Sequence, residues 1–196
     1  MSRLVRLLPA FLGALLLLPG CTAIQQFTAL SQLDFNVNRV GDGLLAGIDL
    51  NRVRSYNDLN PLDAVRLISS VAQGELPFGF TLHLDASNPS SNSTAARLVQ
   101  LDWTLLIDDS ETVSGIFNDN RLINPGETAD IPISMELDLV RFFGSNARDI
   151  IDLALNLAGA GGNPARISLR ARPTVNTALG PISYPGYITI SHTVGR

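Results

Sequence analysis

The stretch Leu76-Pro77-Phe78-Gly79-Phe80-Thr81-Leu82-His83-Leu84-Asp85-Ala86-Ser87-Asn88-Pro89 decides the fold. Leu76, Phe78, Phe80, Leu82, Leu84 and Ala86 stand at every second position, and Gly79, Thr81, His83, Asp85 and Ser87 fill the gaps. A strand sends successive side chains to opposite faces, so this period of two buries one face and leaves the other to water. The run stops at Asn88-Pro89-Ser90-Ser91-Asn92-Ser93. Asparagine bonds within its own turn, and proline has no amide to offer a neighbouring strand.

The same period recurs on both sides. Downstream, Val99, Leu101, Trp103, Leu105 and Ile107 share a face, which makes Trp103 a core residue. Asp108-Asp109-Ser110-Glu111 then turns the chain into a shorter strand, Val113 to Phe117. After Asn124-Pro125-Gly126, the residues Ala129, Ile131, Ile133, Met135, Leu137 and Leu139 alternate with polar ones. Pro132 in that run predicts an edge strand or a bulge, because proline cannot donate to a ladder. Upstream, Leu33, Phe35 and Val37 form a strand that turns at Gly41-Asp42-Gly43, and Leu44, Ala46, Ile48 and Leu50 form the next. Asn60-Pro61-x-Asp63 has a cap, a first-turn proline and a first-turn acid, so a helix follows. Val65, Ile68 and Ala72 form its apolar stripe, and Gly74 ends it. A second helix is expected over 146–158, stopped by Gly159-Ala160-Gly161-Gly162, and two strands close the chain over 165–176 and 182–194. Short strands with one polar face, and no βαβ alternation, predict an all-β antiparallel sandwich with one or two accessory helices.

Composition narrows the function. Of the 196 residues, 45% are hydrophobic and 16% charged, with a formal net charge of −4. All 14 basic residues are arginine. An acidic balance excludes the usual nucleic-acid binder. One cysteine excludes a disulfide framework or a cysteine-rich zinc site.

That cysteine sits in a telling place. Arg3 and Arg6 precede an apolar run, Leu7 to Leu18, and then comes Leu18-Pro19-Gly20-Cys21. Basic residues, a short apolar segment and small residues read as a signal peptide over 1–20. The ending resembles a bacterial lipobox, in which Leu18 and Gly20 are read by the signal peptidase and the Cys21 thiol takes a diacylglyceryl group. Stable anchoring needs more than one acyl chain, and processed lipoproteins carry two or three. Cys21 is therefore the expected membrane attachment. Thr22 in place of an aspartate favours the outer membrane, facing the periplasm, in a Gram-negative cell. Residues 21–32 read as a tether and 33–196 as the domain. Cleavage removes two arginines, so the mature chain is more acidic than the full one.

The order of elements resembles the late embryogenesis abundant (LEA) group 2 family and its water-stress and hypersensitive-response (WHy) domain. The resemblance is carried by the 76–86 strand running into Asn88-Pro89, the strand holding Trp103, Gly115-Ile116-Phe117, and Ile123-Asn124-Pro125-Gly126-Glu127-Thr128 before a long alternating strand. It spans about 33–194 and is densest over 76–140. Ser90 departs from the family's Asn-Pro-Asn triplet. The resemblance implies a seven-stranded sandwich of immunoglobulin or fibronectin type III kind, and it implies neither catalysis nor a cofactor. It also implies protection against desiccation or other water stress through contact with membranes or proteins. The alternative is a structural or transport-accessory envelope lipoprotein that binds a protein or lipid partner.

The remaining candidates are weighed residue by residue. His83 shares a face with Asp85, but a catalytic base needs a nucleophile and an orienting acid, so a solvent-facing histidine is the simpler expectation. His192 has no acid close in sequence. Asp108, Asp109 and Glu111, like Asn118-Asp119-Asn120, lack the ordered spacing of a calcium loop and read as turns. No residue is expected to hold a metal. Arg166, Arg170 and Arg172 share one strand face with Ser168. They suit anionic lipid headgroups, or ion pairs with acids such as Glu136 or Asp138, and the ion pairs are favoured.

Overall fold

The computed structural model describes residue 25 and residues 28–53, 56–143, 153–156 and 165–194. The expected signal peptide with Leu18, Gly20 and Cys21, the Gly159–Gly162 stop and most of the expected 146–158 helix lie outside these residues. Within that expected helix, residues 153–156 are helical, and Ala154 and Leu155 are buried.

Nine strands form two antiparallel sheets among the described residues. They are β1 (Asp34–Leu45), β2 (Ile48–Asp49), β3 (Pro77–Ser87), β4 (Ala96–Ile107), β5 (Ser110–Ile123), β6 (Thr128–Asp138), β7 (Ala165–Thr177), β8 (Gly180–Ser183) and β9 (Ile188–Val194). One sheet runs β2-β1-β3-β6; the other runs β5-β4-β7-β8, with β9 also on β7. Leu82, Leu84, Ile131, Leu101, Leu105, Ile167 and Leu169 fill the space between the sheets, all fully buried. The all-β antiparallel sandwich read from the sequence is therefore the fold. Seven of its strands have seven residues or more, and β2 and β8 are short additions.

The strongest alternations hold as read. β3 and β6 pair without a register break over their whole length, and β6 is the edge that Pro132 requires. Helix α1 (Pro61–Ala72) begins where the cap predicts: Asn60 Oδ1 accepts from the Asp63 amide at 2.9 Å, and Pro61 opens the first turn. It ends with Gly74 at φ +80. There the Glu75 amide reaches Ser70 O and the Gly74 amide reaches Val71 O, the paired bonds of a Schellman stop.

Five details differ from the sequence expectation. First, Gly41-Asp42-Gly43 is no turn: β1 runs through it with a register shift, and the hairpin comes later, at Ala46 (φ 47) and Gly47 (φ 77). Two successive positive φ values match the twist of the flanking strands. Second, Val99 leaves the core, because a bulge between Leu98 and Gln100 turns Leu98 inward instead. Third, β5 extends past Phe117 to Ile123, so Asn118-Asp119-Asn120 is strand and not turn. β5 is an edge strand in water on one side, so polar residues cost it little. Fourth, the last expected strand is two, β8 and β9, separated by Tyr184-Pro185-Gly186-Tyr187 and laid along different halves of β7. Fifth, α1 buries Leu67, while Leu62, Val65 and Ile68 are more than half exposed. The helix has apolar residues on two faces, and periodicity alone does not choose between them.

The expected tether over 21–32 is partly packed. Residues 28–31 are helical, with Ala29 and Leu30 buried at 0% and 2% exposure. Apolar groups so close to the sandwich gain more from burial than the short segment loses in chain entropy.

Candidate functional site

The loops between the sheets converge at one end of the sandwich, around Asn88. It is 1% exposed, and each of its polar atoms has a hydrogen-bond partner. Nδ2 donates to Ile123 O at 2.9 Å and to Thr94 O at 3.1 Å. Oδ1 accepts from Asn92 Nδ2 at 2.8 Å. The Asn88 amide donates to Glu127 O, and its carbonyl accepts from the Gly126 amide. Asn92, also buried, donates a second bond to Ala29 O at 3.2 Å. One asparagine pair thus joins the 88–95 crossover, the 124–127 turn and the N-terminal segment. The turn itself places Pro125 before Gly126, whose φ of +79 suits the third position of a type II turn. Glu127 accepts from the Asn124 amide and side chain. Pro89 is exposed and ends the pairing of β3. Asn88 and Pro89 were legible as a turn; Asn92 and its hold on Ala29 were not, since a bond across 63 residues leaves no local trace.

The arginine row lies on the outer face of the β4–β7 sheet, and each member meets an acid. Arg170 Nη2 is 2.6 Å from Glu111 Oε1, Arg172 Nη2 is 2.8 Å from Asp102 Oδ2, and Arg166 Nη1 is 3.9 Å from Asp109 Oδ2. The partners are therefore Glu111, Asp102 and Asp109, not Glu136 or Asp138, because β7 borders β4 and not β6. Arg170 and Arg172 also flank the Tyr187 ring, each 5.5 Å from its centroid. The Arg172 bond, helped by Gln100 Nε2, holds the Asp102 carboxyl below the usual carboxylate range. Asp119 is lowered likewise by Arg121 and by the Asn120 amide.

His83 is not solvent-facing. It is 8% exposed, with Nδ1 2.9 Å from Asp130 Oδ2 and 3.3 Å from Arg39 Nη2. A carboxylate accepts, so the Nδ1 proton points at Asp130. Nε2 is buried without a hydrogen-bond partner among the described residues. Asp85, its neighbour on the face, accepts from Asn38 instead. A histidine–acid pair becomes a catalytic device when the far nitrogen is bonded to a hydroxyl or thiol nucleophile. Nε2 has no such bond here. His192 is half-buried on β9, opposite Ile167. Among the described residues, no group of three or more His, Cys, Asp or Glu side chains is arranged to hold a metal. Asp108, Asp109, Arg166 and Thr193 line a shallow depression of about 340 Å³ at the other end of the sandwich.

The geometry defines an all-β sandwich closed at one end by an asparagine-bonded loop cluster. No family model and no curated protein matches the chain. Solved structures similar to it include a solution structure from Arabidopsis thaliana, at 13% identity and a TM-score of 0.45, covering 83% of this chain and 84% of that one. Another is a protein provisionally assigned to the late embryogenesis abundant (LEA) proteins, at 12% identity and a TM-score of 0.37, covering 94% and 80%. A crystal structure of a protein from Archaeoglobus fulgidus is similar at 11% identity and a TM-score of 0.37, covering 61% and 86%.

Proposed function

We propose that this chain is a non-enzymatic bacterial lipoprotein. Cys21 holds it on a membrane of the envelope, the outer membrane of a Gram-negative cell. Its LEA group 2-like sandwich protects membranes or proteins as water is lost. The observation that carries the reading is Leu18-x-Gly20-Cys21, with the chain's one cysteine at the acylated position, ahead of a sandwich with the element order of the LEA group 2 resemblance. Many of the charged residues of the sandwich are committed to pairs within the fold. Asp102, Glu111, Asp119 and Asp130 are each tied to a basic or imidazole partner.

A second reading rests on α1. Leu62, Val65 and Ile68 expose 78%, 60% and 63% of their surface, and such a stripe suits a protein partner in a structural or transport-accessory role. The test is survival. A deletion strain, dried and rehydrated, should lose viability; the wild-type gene should restore it, and a Cys21→Ala gene should restore less. Normal survival of the deletion strain would contradict protection, and full rescue by Cys21→Ala would show that anchoring is dispensable.

A further inference from the structure

The geometry points to a fixed orientation on the bilayer: the Asn88 end of the sandwich is a lipid-facing surface, formed by the 88–95, 124–127 and 178–179 turns. The inference rests on the proposed acylation of Cys21 and names the surface that would meet lipid.

Three observations converge. The first is where the chain before the sandwich docks. Ala29 and Leu30 are buried, and Ala29 is bonded to Asn92, at the Asn88 end. The pairings place all three turns at this end: Ser87 pairs with Thr128, Ala96 with Ile123, and Thr177 with Gly180.

The second is reach. Thr28 stands seven positions after Cys21. At ~3.5 Å per residue they span at most about 25 Å. β3, with 11 residues, is about 36 Å long at ~3.3 Å per residue. A membrane-bound Cys21 therefore cannot pass alongside the sandwich to bring the opposite end down.

The third is charge. The three turns hold one ionisable side chain, Glu127, and one more acid, Asp34, is exposed beside them at the start of β1, opposite Ser87. Pro89 and Pro125 are exposed there, and Leu179 is 68% exposed at the tip of its turn. The opposite end carries four acids, Asp108 and Asp109 in its β4–β5 turn and Glu75 and Asp138 beside β3, along with Arg166 against Asp109 and Arg141 after β6. Anionic headgroups repel acids, and the Asn88 end presents fewer of them. The flat alternative would lay the arginine face on lipid, but Glu111 and Asp102 already occupy Arg170 and Arg172.

Acylation blocks the Cys21 sulfur, so a single new cysteine can be labelled. The probe is the acylated mature chain in phosphatidylethanolamine–phosphatidylglycerol vesicles, with an environment-sensitive fluorophore on Leu179→Cys, Thr189→Cys or Asp109→Cys. Thr189 is exposed on β9 opposite Arg170 and reports the arginine face. A headgroup-level lipid quencher should remove most of the Leu179→Cys signal and little of the other two. Strong quenching at Thr189→Cys or Asp109→Cys, or equal quenching at all three, overturns the orientation. If protection on drying persists in that case, the proposed function stands without it. A chain recovered without acyl groups overturns both the orientation and the anchoring.

Discussion

Asn88 does the work of several residues, and its chemistry makes substitution costly. Its amide nitrogen faces two carbonyl oxygens, Ile123 O and Thr94 O, in a buried site. Asn88→Ala leaves both without a partner, at about 1–3 kcal/mol for each buried group orphaned. Asn88→Asp is expected to cost more, since a carboxylate would face those same oxygens; urea midpoints of the two variants check the order. Gly115 shows how sterics decide a sign. Replacing a strand glycine by alanine ordinarily helps by reducing chain entropy. Here a Cβ would lie 2.5 Å from Trp103 Cζ2, on the cross-strand partner of Gly115. Gly115→Ala should therefore destabilise by about 1–3 kcal/mol and shift the Trp103 emission. Asp102 sets a pH dependence. Arg172 lowers its folded pKa, so the stability this provides is present above the unfolded value of about 4 and is lost as pH falls through the lower folded value. The stability gap between the wild type and Arg172→Met should shrink as pH falls below about 4. An equal gap at neutral and acid pH would contradict the pairing.

The N-terminal helical turn belongs to the folded body. Leu30 is 2% exposed, and Leu30→Ala should lower stability by about 2–5 kcal/mol, read from thermal or urea unfolding of the mature chain. A frayed tether would show no effect. That turn was illegible in the sequence because Ala29 and Leu30 stand among polar neighbours, and only the distant Asn92 fixes them. β3 and β6 were legible in their alternation, since each buries one face against the opposing sheet and every second position must be apolar, although Leu76 and Leu139 fall just outside the strands. β1 and β4 were less so, because a bulge moves one residue out of phase and resets the pattern. β5 hid its second half because an edge strand tolerates Asn118, Asp119 and Asn120. The arginine row was read correctly as one face, but its acids come from neighbouring strands, and strand order is not written in any single segment. His83 looked exposed on a polar face; Asp130 and Arg39, from the strands on either side, are the groups it meets.

At the scale of the whole molecule, the edges and the two ends have separate characters. β6 is blunted by Pro132, and β5 by register shifts and by the Asp119–Arg121 pair. Long unpaired edges invite association, and these features oppose it. The ends divide between a loop cluster with few acids beside the N-terminal segment and turns with more acids opposite, where Arg166 meets Asp109. On the proposed reading, the first meets lipid and the second meets the surrounding aqueous space. Anchoring raises the local concentration of the sandwich at the bilayer, so weak contacts suffice to act there when water is withdrawn. The most direct test uses dye-filled phosphatidylethanolamine–phosphatidylglycerol vesicles, dried and rehydrated with either the acylated chain or the unacylated Cys21→Ser chain at equal protein-to-lipid ratio. The account predicts that vesicles carrying the acylated chain keep more of their dye than those with the unacylated chain or with none. Equal leakage in all three would contradict it.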